Sequence, residues 1–350
     1  MPKILLTGGA GFIGSHVALL LLEKGYEVFI LDSLVNSSYK AIERINLIMN
    51  KKDKNHKFKL NFIRGDILKQ NIIDDIFQNA LNIKRPFDAV IHLAGLKSVN
   101  ESIDDPIKYW QVNVKGTINL LETMQKYGCF KLIFSSSAVI YAISDNNLIK
   151  ENNLIKSINP YGQTKEAVEQ FLTDIFNSKK NLWSIISLRY FNPIGSHKSG
   201  LIGECPLEKP NNIFPALCSV ASGKHKELKI FGKDWETPDG TCIRDYIHIM
   251  DIAEGHVMAL EKQLLENNNI EFINLGTGKG TSVLELVKSF QIENKINIPY
   301  TFTERRKGDK CKVVADNSLA LKILGWKPKR NIREMCKDGW NWYCQNPNGY

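Results

Sequence analysis

Seven short apolar runs govern what this chain can fold into. They read KILLTGG, EVFILD, FIRGD, DAVIHLAG, KLIFSSS, SIISLRYFN and EFINLG, each closes on small or polar residues, and helix-patterned sequence separates most of them. Strands that are apolar on both faces belong in a parallel sheet covered by helices on both sides, which predicts an α/β doubly wound fold. A sheet of that kind takes its ligands at the carboxyl ends of its strands. The residues that close the runs are therefore the ones to weigh: Thr7 and Gly8, Asp32, Asp66, Ala94 and Gly95, the serines 135 to 137, and Tyr190 to Asn192.

After Pro193 the alternation fades into Gly-, Pro- and Asn-rich sequence and resumes in part at DIAEGHVMALEKQLLE and EFINLG. This predicts one lobe over 1–192, to which a segment of about 247–277 returns, and a smaller C-terminal α/β lobe over 193–350 that binds the substrate. A chain of 350 residues with 43% hydrophobic content can bury both cores. The net charge of +9 comes from scattered lysines without a nucleic-acid-binding motif. It reads as solvated surface, suits a small phosphorylated substrate, and gives no reason to expect nucleic acid.

Seven cysteines, odd in number and without a C-x-x-C pair, point to a reducing compartment and away from a metal site. The run VALLLL ends at Glu23, too short for a membrane span or a signal core. A cytoplasmic protein with no membrane partner is the expectation. His197, His248 and His256 show no metal-ligand spacing, and His92, inside an apolar strand, reads as a core histidine. In DIAE, Asp251 reads as a helix cap with Glu254 reaching back. Two stretches look like inserts: NKKDKNHKFK at 50–59, a surface loop, and SDNNLIKENNLIKSINP at 144–160, either a surface loop or a cover over the site.

TGGAGFIGSH sets Gly8, Gly11 and Gly14 between the first strand and a helix starting near Phe12. Glycines permit the tight turn and close backbone approach, and a helix N-terminus offers unpaired N–H groups to a pyrophosphate. Asp32, closing the next strand, stands where a carboxylate accepts the ribose hydroxyls of NAD; it would repel a 2′-phosphate, and Ser33 offers no arginine to hold one. The combination describes a Rossmann-type fold that binds NAD, with the adenine expected at Asp66 and Ile67.

Tyr-x-x-x-Lys occurs twice, as YGCFK at 127–131 and as YGQTK at 161–165. Gly128 reads as a helix C-cap that separates Tyr127 from Lys131, which begins the next strand. In PYGQTKEAVEQFLTDIF, by contrast, Pro160 suits a first helical turn, and Tyr161, Lys165, Val168 and Leu172 fall on one helical stripe. A tyrosine is a poor base at neutral pH, but an ammonium one turn away favours the phenolate. With a serine-ended strand and an NAD loop beside it, this pair predicts a Ser137–Tyr161–Lys165 site in which Tyr161 is general base and Ser137 relays the proton.

On these motifs the chain resembles the extended short-chain dehydrogenase/reductase family. Further blocks, HLAGLKSVNES, NVKGT, LRYFNPIGSHKSG, IFGKDW, DGTCIRDYIHIMD, NLGTG, RRKGD and NPNGY, extend the resemblance over nearly the whole chain and look like those of its nucleotide-sugar epimerases. The resemblance implies a UDP-hexose substrate, UDP-galactose and UDP-glucose being interconverted through a 4-keto sugar while a hydride passes to bound NAD and back. It implies cofactor contacts at Phe12, Ile13, Asn36, Ser37, Leu93, Ala94, Lys97, Asn113 and Tyr190, besides the glycines, Asp32, Asp66, Ile67, Tyr161 and Lys165. For the UDP-sugar it implies Asn192, Asn212, Ile213, Phe231, Arg244, Arg306, Asp309 and Val313, besides Ser137 and Tyr161. The two arginines suit a diphosphate because a guanidinium makes planar, paired contacts to phosphate oxygens.

A homodimer joined through helices near 107–127 and 160–178 is also implied. The chain departs from the family at Ala142, where glycine is usual. At Val313 the family carries either a bulky aromatic or a small residue, so N-acetylhexosamines enter as further candidate substrates. Of the rival activities, a 4,6-dehydratase needs a carboxyl pair after the serine strand, where this chain has Ala138 and Val139. A dehydrogenase would release NADH, and a non-catalytic NAD-binding regulator has little reason to keep Ser137, Tyr161 and Lys165 together.

Overall fold

The computed structural model describes the chain except residues 53–56, 143–147, 180–181, 207–211, 267 and 307. All seven apolar runs are strands of one sheet. Six are β1 (Lys3–Thr7), β2 (Glu27–Asp32), β3 (Lys59–Arg64), β4 (Ala89–His92), β5 (Lys131–Ser137) and β6 (Ser184–Tyr190). The seventh, Ile270–Leu275, lies at one edge, and the order runs from it through β6, β5, β4, β1 and β2 to β3. β1 pairs in parallel with both β2 and β4, so the strand order reverses between β1 and β4, the place where a doubly wound sheet opens a crevice for a ligand. Every residue of β1, β4 and β6 is buried, as continuous apolar runs require, whereas edge strand β3 is partly exposed.

The helices of this part are α1 (Phe12–Glu23), α2 (Tyr39–Lys52), α3 (Gln70–Asn82), α4 (Val99–Asp104), α5 (Pro106–Tyr109), α6 (Gly116–Lys126) and α7 (Pro160–Ser178). A π-helical turn, Trp110–Lys115, joins α5 to α6. Leu120, Met124, Val168 and Leu172 from α6 and α7 meet Leu132, Phe134 and Ile185 of the sheet in one core. α7 starts as its sequence dictates: Pro160 stands in the first turn, and the Asn159 side chain caps it by accepting from Gly162 N at 2.9 Å.

The chain divides into two compact units, Met1–Ala142 with Leu154–Arg189 and Ala253–Ile273, and Ile143–Asn153 with Tyr190–Ile252 and Asn274–Tyr350. The sequence boundary at 192 would assign 148–153 to the first unit. They cluster with the second because Ile149 N donates to Val314 O and Asp316 N to Ile149 O, both at 2.8 Å. The second unit has its own core, in which Phe214, Leu217, Val287, Phe290 and Met335 pack together. Its strands are short: Asn192–Ile194 pairs with Tyr246–His248, Leu228–Phe231 with Tyr300–Thr303, and Ile243–Arg244 with both Thr281–Ser282 and Lys312–Val313.

One local expectation is corrected. Asp251 is not a cap, since its helix begins earlier, at Ile249. Its buried carboxylate instead receives Arg330, through both the guanidinium and the backbone N–H. Among the described residues, no helix is long and apolar enough to cross a membrane, and no cluster of three or more His, Cys, Asp or Glu side chains could hold a metal ion.

Candidate active site

The turn after β1 is built by close approach. Gly8 has φ +72°, and a Cβ there would stand 2.6 Å from Ala94 N, while one at Gly14 would stand 2.2 Å from Gly8 O. A Cβ at Gly11 would meet only Gly8 O, at 3.3 Å. Gly8 and Gly14 are therefore demanded by the protein's own backbone, and the bare face of Gly11 opens outward at the N-terminus of α1, followed by the half-buried Phe12 and Ile13. Asp32, closing β2, is buried and receives Ala10 N at 2.9 Å, Leu34 N at 2.9 Å and Ser37 Oγ at 2.7 Å. These bonds hold its carboxylate beside the glycine turn and make Ser37 a support for Asp32; Asn36, just before Ser37 on the same loop, is exposed. A glycine cradle open at Gly11, a helix N-terminus and a fixed carboxylate fit a dinucleotide with free ribose hydroxyls.

Around this cradle, Asp66 turns its own loop by accepting from Leu68 N at 2.9 Å. Buried Ile67 lies where Gly116 needs to be bare, a Cβ on Gly116 falling 2.6 Å from it. Leu93 and Ala94 follow β4, with Leu93 N bonded to Thr7 O at 3.0 Å. Lys97 is exposed beyond them. Asn113, on the π-helical turn, is buried and holds that loop, accepting from Leu96 N at 2.8 Å and donating to Leu96 O and Thr164 Oγ1, each at 3.0 Å. His92 is the core histidine it reads as, bridged between Thr7 Oγ1 at 2.7 Å and Thr117 Oγ1 at 2.9 Å. Burial, reinforced by the Lys165 charge, pushes its pKa down to about 3.

Ser137 closes β5, and its Oγ accepts from Val139 N at 3.3 Å. Burial pushes the Tyr161 phenol's pKa above its ordinary value, and the Ser137 hydroxyl offsets part of that rise. Lys165, one turn further along α7, is buried and donates to Ser135 O at 2.8 Å, with its amine 4.8 Å from the centre of the Phe134 ring. Burial lowers its pKa to about 8. The expected help from an ammonium is thus not supplied by the protein alone, since Lys165 points its amine at a carbonyl and Tyr161 is held neutral.

The other Tyr-x-x-x-Lys is taken apart. Tyr127 stacks on Phe77 and its hydroxyl donates to Gln78 Oε1 at 3.3 Å, whereas Lys131 reaches Leu264 O at 3.5 Å. Sequence reasoning missed the group behind Lys165. Arg189 makes a two-pronged pair with Glu169, Nε to Oε1 at 3.0 Å and a terminal nitrogen to Oε2 at 2.7 Å, both side chains nearly inaccessible. The signal was an arginine inside an otherwise apolar strand, which demands a buried partner. Ala142 fits without a glycine, as its N–H donates to Leu154 O at 2.8 Å.

In the second unit the predicted substrate residues come together in pairs. Arg244 donates to Asp309 Oδ1 at 3.0 Å and to the carbonyls of Ile243 and Lys310 at 2.9 and 2.8 Å. The Arg306 guanidinium lies 3.9 Å from the centre of the Phe231 ring. Val313 stands beside Arg244 in parallel register. Asn192 N donates to Asp245 O at 3.0 Å; Asn212 precedes the helix Ile213–Ala221, its amide 3.5 Å from Glu204 Oε1, and Tyr190 is buried at the end of β6.

Two contributors here were not foreseen. Lys310 is half-buried beside Arg244, and burial followed by that like charge lowers its pKa, so the pair gives the unit a cationic patch. Asp245, wholly buried, fixes the loop by accepting from Thr277 N at 2.7 Å, Gly278 N at 3.0 Å and Ala315 N at 3.1 Å.

Comparison with known proteins agrees over the full length. The family model described as GDP-mannose 4,6 dehydratase matches residues 5–339. The UDP-glucose 4-epimerase of Bacillus subtilis (strain 168) is 47% identical over 347 residues, 99% of this chain and 98% of that protein. The crystal structure of UDP-glucose-4-epimerase from Stenotrophomonas maltophila, with bound NAD and formylated UDP-arabinopyranose, superposes with a TM-score of 0.93 at 40% identity, covering 99% of both chains. That of the Bifidobacterium longum UDP-glucose 4-epimerase, in complex with NAD+ and UDP, has a TM-score of 0.91 at 40% identity, covering 99% of this chain and 100% of the other.

Proposed function

The chain belongs to the GDP-mannose 4,6 dehydratase family and, within it, to the UDP-glucose 4-epimerases, and from that premise we propose that Ser137, Tyr161 and Lys165 carry its chemistry. It is an NAD-dependent isomerase that interconverts UDP-galactose and UDP-glucose. The observation that carries the residue assignment is the buried Tyr161 phenol, whose ionisation the Ser137 hydroxyl at the end of β5 favours, with Lys165 one turn further along α7. Tyr161 takes the proton of the sugar 4-hydroxyl through Ser137 and returns it after the 4-keto sugar has turned over in the pocket. NAD, when bound, supplies the hydride acceptor and donor for carbon 4 and a positive ring charge that stabilises the Tyr161 phenolate. Gly11 would leave room for the pyrophosphate, Asp32 would accept from the ribose hydroxyls, and Lys165 would donate to the nicotinamide ribose.

Arg244, Lys310 and Arg306 hold the diphosphate, Phe231 the uracil, and Asp309 the uridine ribose. Despite the family description, dehydration is disfavoured, because Ala138 and Val139 follow Ser137 and offer no carboxyl group to eliminate water. Incubating purified protein with UDP-galactose, without added NAD, should yield UDP-glucose with no growth of NADH absorbance; no conversion even with NAD supplied would falsify the reading. Valine at 313 leaves room for an N-acetyl group beside the sugar. Val313→Tyr should therefore raise the ratio of UDP-galactose to UDP-N-acetylgalactosamine turnover, and an unchanged ratio would remove that substrate class.

We place the protein in the cytoplasm and as a homodimer. What supports the dimer is a run of exposed apolar side chains on α4, α5 and the π-helical turn, Val99, Ile103, Ile107 and Trp110, with Ile107 70% exposed. Light scattering that gives a mass near 39.8 kDa at micromolar concentration would refute it.

A further inference from the structure

We propose that Glu169 and Arg189 form an oriented ion pair that acts through Lys165, the carboxylate facing the lysine's turn of α7 while Tyr141 holds the guanidinium on the far side. The inference rests on the epimerase reading for its effect on turnover, though not for its effect on Lys165 itself.

Glu169 lies four residues after Lys165, which makes them neighbours on one helical face. Its carboxylate is fixed by three hydrogen bonds from two residues. Arg189 clamps both carboxylate oxygens, and Ser187 Oγ donates to Oε1 at 2.8 Å. Arg189 in turn donates to Tyr141 Oη at 2.8 Å and lies against the rings of Tyr141 and Phe272, at 5.2 and 4.9 Å from their centres. A guanidinium so held cannot swing along α7 toward the lysine. The pair as a whole is neutral, yet it is its carboxylate, and not its guanidinium, that belongs to the residue one helical turn from Lys165.

That orientation matters because of what else surrounds Lys165. From β5 it meets Ser135 O and the Phe134 ring; from the loop after β4 and the π-helical turn, Gly95 and the neutral amide of Asn113. From β4 it feels His92, which is uncharged above a pH of about 3, and on its own helix it has Tyr161 one turn earlier. Among the described residues, Glu169 is the one nearby charge that works against burial to keep the lysine an ammonium. Tyr141 also ends the short turn that begins at Ser137, so Arg189 ties the strand carrying the serine to the helix carrying the tyrosine and lysine. An isolated structural pair would need neither the four-residue spacing nor the tie to that turn.

The test uses Glu169→Gln and the double variant Glu169→Gln/Arg189→Met, which leaves no orphaned charge if the single variant folds poorly. Two quantities are read at each pH: kcat and KM for UDP-galactose, and the Nζ chemical shift of Lys165 in lysine-labelled protein, assigned with Lys165→Arg. Loss of the carboxylate should move the Lys165 titration, and with it the alkaline fall of kcat, toward acid by about one pH unit, with KM changed less than twofold. A lysine titration that stays in place in the folded variant, with kcat reduced by one factor at every pH, would overturn the proposal and leave the pair a purely structural contact. If the wild-type protein failed to epimerise, the functional reading would fall, while the chemical-shift titration would still decide the role of Glu169.

Discussion

Gly11 and Gly14 are predicted to fail in different ways when each is changed to alanine. At Gly14 the new methyl would lie 2.2 Å from Gly8 O and 2.6 Å from Gly9 Cα, where ordinary contact begins at 3.4 Å. Both obstacles are backbone, so no side chain can rotate away. Overpacking of this kind costs about 1–3 kcal/mol, and a clash with two main-chain atoms belongs at or beyond the upper end. Alanine regains about 1 kcal/mol of helix propensity at this position in α1. The net loss is about 2 kcal/mol, or about 3 °C in Tm for a chain of 350 residues at about 2.1 cal/mol/K per residue.

At Gly11 the φ of −75° already suits alanine and the one contact, at 3.3 Å, is nearly ordinary. That methyl should lower the Tm of cofactor-free protein by only about 1 °C, since exchanging glycine for alanine at an N-cap costs somewhat under about 1 kcal/mol. On the proposed role of this turn, however, it stands where the pyrophosphate of NAD would approach. NAD binding should weaken at least about tenfold, equivalent to about 1.4 kcal/mol. Thermal melts of the two variants stripped of cofactor, followed by calorimetric NAD titration, separate the effects. If Gly11→Ala melted as early as Gly14→Ala, or bound NAD as the wild type does, the division between a structural and a ligand-facing glycine would be wrong.

Tyr161→Phe should lower kcat by about 10²–10⁴-fold with the protein still folded, the range expected for loss of a general acid–base group. Tyr127→Phe, which loses only an exposed bond to Gln78, should keep wild-type turnover; equal losses in steady-state assays of the two would discredit the choice between them. His92, its pKa depressed to about 3, contributes stability that is fully present above its unfolded pKa of about 6.5 and is lost as pH falls through the folded value. The loss amounts to at most about 5 kcal/mol, so urea melts of wild type and His92→Gln should converge between pH 6.5 and 3; parallel curves would contradict the buried neutral imidazole. Lys165, lowered to about 8, has the same sign: its burial penalty is present below that pH and is relieved as pH rises toward 10.5. The stability difference between wild type and Lys165→Met should therefore grow by up to about 3 kcal/mol over that interval, and a constant difference would show that the amine is solvated.

The parts of this molecule that a sequence can express are those set by contiguous burial. A parallel strand covered on both faces must be apolar throughout, so all seven strands of the large sheet were readable, and so was the row of residues at their carboxyl ends. Helix phase chose Tyr161 over Tyr127 for the same reason, since Val168 and Leu172 continue its stripe into the core. The second unit was readable only as a region, because strands of two to four residues are too short to show a period.

What spacing cannot encode is where a long charged side chain points. Lys165 was placed on the correct face, yet its four-carbon stem carries the amine to Ser135 O, and no count of residues distinguishes that from a contact with the phenol. The same holds for Arg189 and Glu169, twenty residues apart in sequence and bonded at 2.7 Å in the fold. There the composition gave half the answer: an arginine within SIISLRYFN has to be neutralised, because an unpaired guanidinium at that depth would cost more than the strand can recover. The other half comes from α7, which offers one carboxylate at the sheet, four residues past Lys165. The buried charges of Lys165 and Arg189 thus have the same glutamate as their neighbour, one turn along the helix and across an ion pair. Replacing Glu169 is therefore expected to disturb folding and proton transfer together, and only the pH at which Lys165 titrates can tell the two apart.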